Sequence, residues 1–380
     1  MNRKKIIIIT LIILLLTIGI TSAQEGYPRT VKDFYGNEIV LDKAPERVVT
    51  SGLEYLAYLG KDVVDRVIWS SKSSDSPTDM AITEIFGTED ICTMEGSMIT
   101  MVEQIIAKKP DLVLIGDSKT SEEDRAEFRE KMNAAGIPVY FYTCQSNLFS
   151  NSKECLEVNL LPISEIFAKE DRAHYLIDLI DEGTKNLETM LQKSDIPETK
   201  NVYVAGGAGK SRPNFLGSSP ATYHPLLYLD DYVHNIMYDI TDEEYLTMEF
   251  EKLYQYEEEE GKIDVIFISL GCWDNFKELW HKDPNKFNVL TPFKTGEVYV
   301  VTDWFPRAYM CLGGAYLLAS NLNPEALEDF DVNNYVRTLM NEFYGDEQAG
   351  GIVYNKVVEY LQDKTGQDIQ LFGKVNLAKV

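Results

Sequence analysis

Residues 163–193 read ISEIFAKEDRAHYLIDLIDEGTKNLETMLQK, and no other stretch constrains the fold as much. Its apolar residues (Ile163, Ile166, Phe167, Ala173, Leu176, Ile177, Ile180, Leu187, Met190, Leu191) recur every three or four positions, with acids and lysines between them. That period lays one apolar stripe along a helix. As one helix the stretch would span roughly 46 Å at about 1.5 Å per residue, longer than a small domain is wide. Two arrangements accommodate it: a strut joining two lobes, or a long helix packed inside one large domain.

Strand-like and helix-like segments alternate on both sides of this stretch. Before it, a hairpin is expected at 33–41 around Gly36-Asn37, with strands at 47–50, 65–69, 112–115 and 139–142. Helices are expected at 53–60, 101–109 and 121–135. After it come strands at 201–205, 265–269 and 298–301, and helices at 243–254, 307–321, 332–344 and 351–363. Short connections between alternating elements predict an α/β chain: two lobes with central, mostly parallel sheets, joined by one long helix.

Before the first lobe, Arg3, Lys4 and Lys5 precede an apolar run and then Thr21-Ser22-Ala23, the order of a secretory signal peptide. Export is therefore expected, with the segment either cleaved or kept as an anchor. The run is short for a membrane span, and no cysteine follows it to carry a lipid. Formal charge is −25, and removal of the three basic residues makes it more negative still. Such a surface repels nucleic acid and anionic headgroups. Five cysteines (Cys92, Cys144, Cys155, Cys272, Cys311) lack any C-x-x-C spacing, so neither a disulfide framework nor a zinc signature is read. Buried free thiols are expected, with Cys144–Cys155 the one bridge considered. The acid run 257–260 reads as a solvated helix end.

Val204-Ala205-Gly206-Gly207-Ala208-Gly209-Lys210-Ser211 looks like a phosphate-binding loop but lacks the first glycine, and Arg212-Pro213 replaces the expected helix. It reads instead as a glycine-rich loop facing a ligand, or a plain turn.

Several segments in order carry a resemblance. Pro45-Glu46-Arg47-Val48-Val49 enters the first strand, and Val102-Glu103-Gln104-Ile105-Ile106-Ala107-Lys108-Lys109-Pro110-Asp111 precedes another. Ala135-Gly136-Ile137-Pro138-Val139, Thr247-Met248-Glu249 and Thr295-Gly296-Glu297-Val298-Tyr299 follow. Together, from about Tyr27 to Tyr344, they resemble the substrate-binding proteins of ABC importers for iron chelates, haem and cobalamin, the class with a helical backbone. The resemblance implies a signal peptide (1–23), an N-terminal lobe (24–160), a linking helix (161–194), a C-terminal lobe (195–345) and a C-terminal helix and tail (346–380). It implies ligand capture in the cleft by a monomer, with no catalytic residue, bound metal or resident cofactor. The partners implied are an ABC permease with its cytoplasmic ATPase, and no nucleic acid. Glu103 and Glu249 match the family's paired glutamates, one per lobe, which dock on permease arginines.

Cleft residues belong on loops at strand C-termini. These offer Trp69, Ser97 and Asp117 in the N-lobe, and Arg212, Tyr223, His224, Trp273, Trp304 and Arg307 in the C-lobe. Aromatic walls suit a flat chelate or macrocycle such as haem or a corrinoid, and arginine suits carboxylates. The four histidines (His174, His224, His234, His281) are too scattered for a bare-metal site. The competing expectation is an exported enzyme, or a cofactor-handling or sensor protein, on the same two lobes.

Overall fold

The computed structural model describes residues 26–71, 76–93, 96–117, 119–144, 149, 151–193, 199–206, 214–218, 223–243, 245–260, 262–302 and 308–380. The expected signal segment lies outside them. β1 (Arg29–Lys32) and β2 (Glu38–Leu41) form an antiparallel hairpin. It sits earlier than the expected 33–41 because the Asp33 carboxylate organises the turn, accepting the N–H groups of Tyr35 (3.0 Å) and Asn37 (2.8 Å).

The N-lobe sheet contains β3 (Val48–Thr50), β4 (Val67–Ser70), β5 (Cys92–Thr93), β6 (Leu112–Asp117) and β7 (Val139–Thr143). All pairs are parallel, in the order β5-β4-β3-β6-β7. The crossovers carry α1 (Glu54–Leu59), α2 (Pro77–Phe86), α3 (Val102–Lys108) and α4 (Glu122–Ala134). The linking region contributes α5 (Leu161–Phe167) and α6 (Glu170–Lys193).

In the C-lobe, β8 (Lys200–Ala205), β10 (Val233–Asn235), β12 (Val265–Ser269) and β13 (Val298–Val301) pair in parallel in the order β10-β8-β12-β13. β9 (Gly217–Ser218) and β11 (Leu246–Thr247) form a separate antiparallel ribbon. Helices α7 (Phe250–Gln255), α8 (Trp273–Lys282), α9 (Ala308–Leu322), α10 (Val332–Tyr344) and α11 (Ala349–Thr365) complete the lobe. The helix expected at 243–254 begins only at Phe250, because the preceding residues form β11 and the cap at Glu249.

The linking helix differs from its expectation in one respect. Ala168 adopts a left-handed conformation (φ 56°) and ends α5, so α6 starts at Glu170. The uninterrupted strut is 24 residues long, about 36 Å at about 1.5 Å per residue.

Strand alternation divides the core. On β6, Leu112 and Leu114 face one apolar cluster while Val113 and Ile115 face another. On β8, Val202 and Val204 point inward while Tyr203 and Ala205 point outward. The inward residues of both sheets belong to one continuous cluster, shared with α5, α6 and the helices from α9 to α11. Each outer face has its own smaller core. The two lobes are therefore joined by a buried apolar seam as well as by the strut.

Aromatic rings fill that seam: Tyr58 meets Phe343 (4.9 Å between centroids) and Tyr309 (5.9 Å), and Phe86 meets Tyr344 (6.2 Å). Lys356 of α11 pairs with Glu84 of α2 at 2.6 Å. Arg172 of α6 donates to the carbonyls of Tyr58 (3.0 Å), Phe343 (3.3 Å) and Glu342. Beyond α11 the tail adds to β13: Val300 N–H donates to the Gly373 carbonyl (3.0 Å) and Val375 N–H to that of Val298 (2.8 Å).

Gly183 is where α6 crosses α9 and α10 most closely. A Cβ there would lie 2.4 Å from the Tyr335 hydroxyl and 2.6 Å from Leu312 Cδ2, and Tyr316 donates to the Gly183 carbonyl at 2.8 Å. In an open helix, Gly→Ala gains about 1 kcal/mol; here overpacking costs about 1–3 kcal/mol and prevails. Gly183→Ala is expected to lower stability by about 1–2 kcal/mol in urea titrations of the full chain. A stabilised variant would contradict the close crossing.

Candidate ligand cleft

In an open parallel sheet a ligand crevice opens where successive crossovers leave in opposite directions, at the strand C-termini. In the N-lobe that point falls between β3 and β6, and in the C-lobe between β8 and β12. At the first, the Ser51 hydroxyl accepts the N–H of Gly116 (2.6 Å) and lies 3.3 Å from the Tyr142 hydroxyl. Gly116 permits this approach, since a Cβ would fall 2.6 Å from Cys144 Sγ and 2.8 Å from the Tyr142 ring. At the second, the chain leaves β8 at Gly206, next to the Cys272 thiol, which donates to the Ala205 carbonyl (3.4 Å).

Contacts from Ser51 lead to Cys155 and Asn159, and nearby Ser152 bonds across to the other lobe. The Tyr142 and Tyr55 rings meet edge to face at 5.4 Å. Tyr55 Oη lies 3.5 Å from Cys155 Sγ and accepts from Asn159 Nδ2 (3.2 Å). Three residues before Cys155, the Ser152 N–H donates to the hydroxyl of Tyr228 at 3.0 Å, and Tyr228 belongs to the C-lobe. Burial pushes the Cys155 thiol up to about 11, against lowering by its hydrogen bonds to Tyr55 and Asn159, so it stays protonated. Cys144, Cys155, Cys272 and Cys311 are all free, and the Cys144–Cys155 bridge is not formed. The sequence reading missed Tyr55, Tyr142 and Tyr228 as a group. They lie far apart along the chain, and only the sheet order brings them together.

Asp117, at the end of β6, was expected near the cleft and is instead an internal anchor. It is 4% exposed. Its carboxylate accepts from Tyr35 Oη (2.7 Å), Arg125 Nη1 (3.1 Å) and the N–H groups of Lys119 (3.2 Å) and Thr120 (3.0 Å). Burial would raise its pKa, but the hydrogen bonds from Thr120, Tyr35 and the two amides outweigh it and hold the carboxyl below its ordinary value. Burial, then the bond to Asp117, pushes Tyr35 up to about 12, so its hydroxyl remains a donor.

Among the residues expected to touch ligand, Arg212, Trp304 and Arg307 lie outside the described residues. Ser97 is exposed, just before a 3₁₀ turn at Met98–Thr100. Tyr223 and His224 are buried at the start of a 3₁₀ turn, His224–Leu229, where Pro225 packs on Gly314 of α9. Two further residues expected at the ligand are buried in outer cores. Trp273 has no exposed surface: its ring packs on Phe276 (5.3 Å) inside the outer core of the C-lobe. Trp69 is buried in the outer core of the N-lobe, its indole N–H donating to the Thr93 carbonyl (3.2 Å). Glu103, in the first turn of α3, and Glu249, at the N-cap of α7, are both exposed. The acid run is not wholly solvated, because the Glu257 carboxylate accepts the N–H groups of Ile263 (3.0 Å) and Thr291 (2.9 Å).

A carboxyl with a lowered native pKa stabilises the fold above its unfolded value, near 3.8 for Asp117, and this contribution is lost as pH falls through the native value. Asp117→Asn is therefore expected to lower stability at pH 7 by about 1.5–3 kcal/mol. The gap to the parent chain should narrow in denaturant titrations below about pH 4. A gap that stays constant on acidification would show that the charge contributes nothing.

No protein-family model matches the chain. Over 183 residues it is 25% identical to an uncharacterised ABC transporter substrate-binding lipoprotein, YvrC of Bacillus subtilis, a match covering 47% of this chain and 52% of that one. The chain thus spans about half the length of the curated relative it matches. Among solved structures, the TroA-like periplasmic binding protein FepB of Veillonella parvula aligns at TM-score 0.60 and 18% identity, covering 83% of this chain and 96% of that one. The Haemophilus influenzae protein MolA, bound to molybdate, aligns at 0.62 and 17%, covering 83% and 98%. Helicobacter pylori CeuE, in a nickel–histidine complex, aligns at 0.57 and 16%, covering 85% and 97%. Among the described residues, no helix is long and apolar enough to cross a membrane. With two parallel sheets, a linking helix and these structural relatives, the chain has the fold of the helical-backbone substrate-binding proteins of ABC importers.

Proposed function

We propose that this chain is an exported binding protein, not a catalyst, that captures a metal chelate between its lobes and delivers it to an ABC permease driven by a cytoplasmic ATPase. The observation that carries this reading is the pair of crevice points on two parallel sheets, in lobes that also meet through the Ser152–Tyr228 hydrogen bond. The ligand class proposed is an iron chelate of siderophore type, haem or a corrinoid. In sequence Arg212 follows β8, and Trp304 and Arg307 follow β13, so all three are proposed to meet the ligand. Ser97, Tyr223 and His224 are retained as neighbours of that site, whereas Trp69 and Trp273 are not. The chain acts as a monomer outside the cytoplasm, held at the cell surface if the N-terminal apolar segment is kept.

Docking is assigned to Glu103 and Glu249, because both are exposed at helix N-termini and each belongs to a different lobe. Two fixed charges define a register for a basic partner and speed encounter. The strut and the seam preserve their separation, so closure on ligand is a small rocking movement.

Purification of the chain from its native source, with absorbance and mass spectrometry of what co-purifies, tests the ligand class. A corrin or haem band, or a bound iron chelate, is expected; a colourless protein that binds no iron chelate would overturn it. Glu103→Arg combined with Glu249→Arg is expected to abolish uptake while ligand affinity stays unchanged. Lost affinity in that variant would remove the docking assignment.

A further inference from the structure

A pocket of about 170 Å³ opens beside β10, the outermost strand of the C-lobe sheet, one strand removed from the crevice between β8 and β12. Its volume is close to the ~150 Å³ of a cavity that holds benzene. It falls well below the roughly 300–1,000 Å³ that drug-sized ligands occupy, so a haem, corrinoid or siderophore does not fit. The pocket shares Tyr223 with the neighbours of the proposed cargo site but is too small to be that site, so its occupant is a smaller group than the cargo.

Its lining combines an apolar wall with one carboxylate and several neutral polar groups, among them Tyr223 and Asn235. Leu226, Leu227 and Val233 form the wall, and Asp230, His234 and Tyr238 bring further polar atoms. Among the described residues, no lysine or arginine lines it. The His234 imidazole is already engaged, with Nε2 2.6 Å from an Asp239 carboxylate oxygen that also accepts from Tyr256 Oη at 2.9 Å. Asp230 takes part in none of the ion pairs among the described residues. Asp230 is exposed at the pocket's rim, and partial burial first, then the like charge of Asp231, raises its pKa. Tyr238, also in the lining, is half exposed (51%), and an aromatic ring is a partner that a cation can use.

An anion would meet the Asp230 carboxylate here, and the one imidazole among the described lining residues is already paired with Asp239. A neutral polar molecule would leave the like charges of Asp230 and Asp231 uncompensated. A positive head on a short alkyl stem satisfies both halves: the head neutralises Asp230 and lies against Tyr238, and the stem covers the leucines and valine. We propose that this pocket binds an ammonium or guanidinium group carried on a short alkyl chain. The group can come from a free amine or from a lysine or arginine side chain of a partner protein.

The test uses the full chain and n-butylammonium chloride, followed by NMR chemical shifts, with 1-butanol as the neutral control. Saturable binding of the amine is expected, with shifts confined to residues around the pocket and no saturation by butanol. Asp230→Asn should weaken binding by about tenfold or more, the size of one lost charged contact. An Nα-acetyl-lysine methylamide probe separates the sources. Affinity equal to that of butylammonium indicates a free amine, and affinity about tenfold tighter indicates a partner's side chain. Failure of both probes to saturate by about 50 mM overturns the proposal, as does unchanged binding in a folded Asp230→Asn variant. Should that variant not fold, Leu227→Trp, which fills the pocket, must abolish binding for the proposal to stand.

Discussion

One guanidinium ties together the three parts of this protein. Arg172 sits in the first turn of α6 and reaches the carbonyl ends of α1, from the N-lobe, and α10, from the C-lobe. The last carbonyls of a helix have no partner within it, and two C-terminal dipole ends favour a positive charge between them. A planar fork can serve both at once, which a lysine cannot. Each charged hydrogen bond contributes about 1.5–3 kcal/mol, comparable with the net stability of many domains when two or three are combined. The rings around it add about 0.5–1.5 kcal/mol per pair. Separating the lobes at this seam would strand the carbonyls and expose the rings, so the seam acts as the fixed side of any movement.

Arg172 also shows how this acidic chain uses its arginines. Arg47 donates to the carbonyls of Lys108 (2.8 Å) and Lys109 (3.1 Å), Arg66 to those of Asp62 (3.0 Å) and Pro45 (3.0 Å), and Arg129 to that of Val139 (2.8 Å). Arg125 and Arg129 also neutralise the buried carboxylates of Asp117 and Asp33. The negative excess lies mainly on the surface, and the scarce guanidinium groups are spent on backbone carbonyls and on the two buried carboxylates. An arginine in this sequence is thus more often a backbone clamp than its rarity among acids suggests.

Much of the sheet structure was legible because β6, β7, β12 and β13 are continuous apolar runs between turn residues, the mark of strands buried on both faces. The break at Ala168 was not, since alanine favours helix and the left-handed turn is held by an N–H bond from Lys169 to the Ser164 carbonyl (2.9 Å). A glycine there would have announced it. Trp273 was misread although the signal was present: Trp273, Phe276 and Trp280 recur at helical spacing, so the tryptophan starts an apolar stripe. Tyr55, Tyr142 and Tyr228 gave no local signal, because their proximity depends on strand order and lobe docking, which periodicity does not encode.

The hairpin and the C-terminal tail also bear on how this protein behaves when concentrated. A parallel sheet ends in strands with unpaired backbone groups, which invite another chain to add on. Here β5 has two residues and β10 three, too short to template much pairing. On β7 the turn after β1 intervenes, with the Phe34 N–H on the Phe141 carbonyl at 2.9 Å. The tail covers β13 through Gly373 and Val375. Each sheet thus has one covered edge and one very short one, which leaves little backbone for edge-to-edge growth.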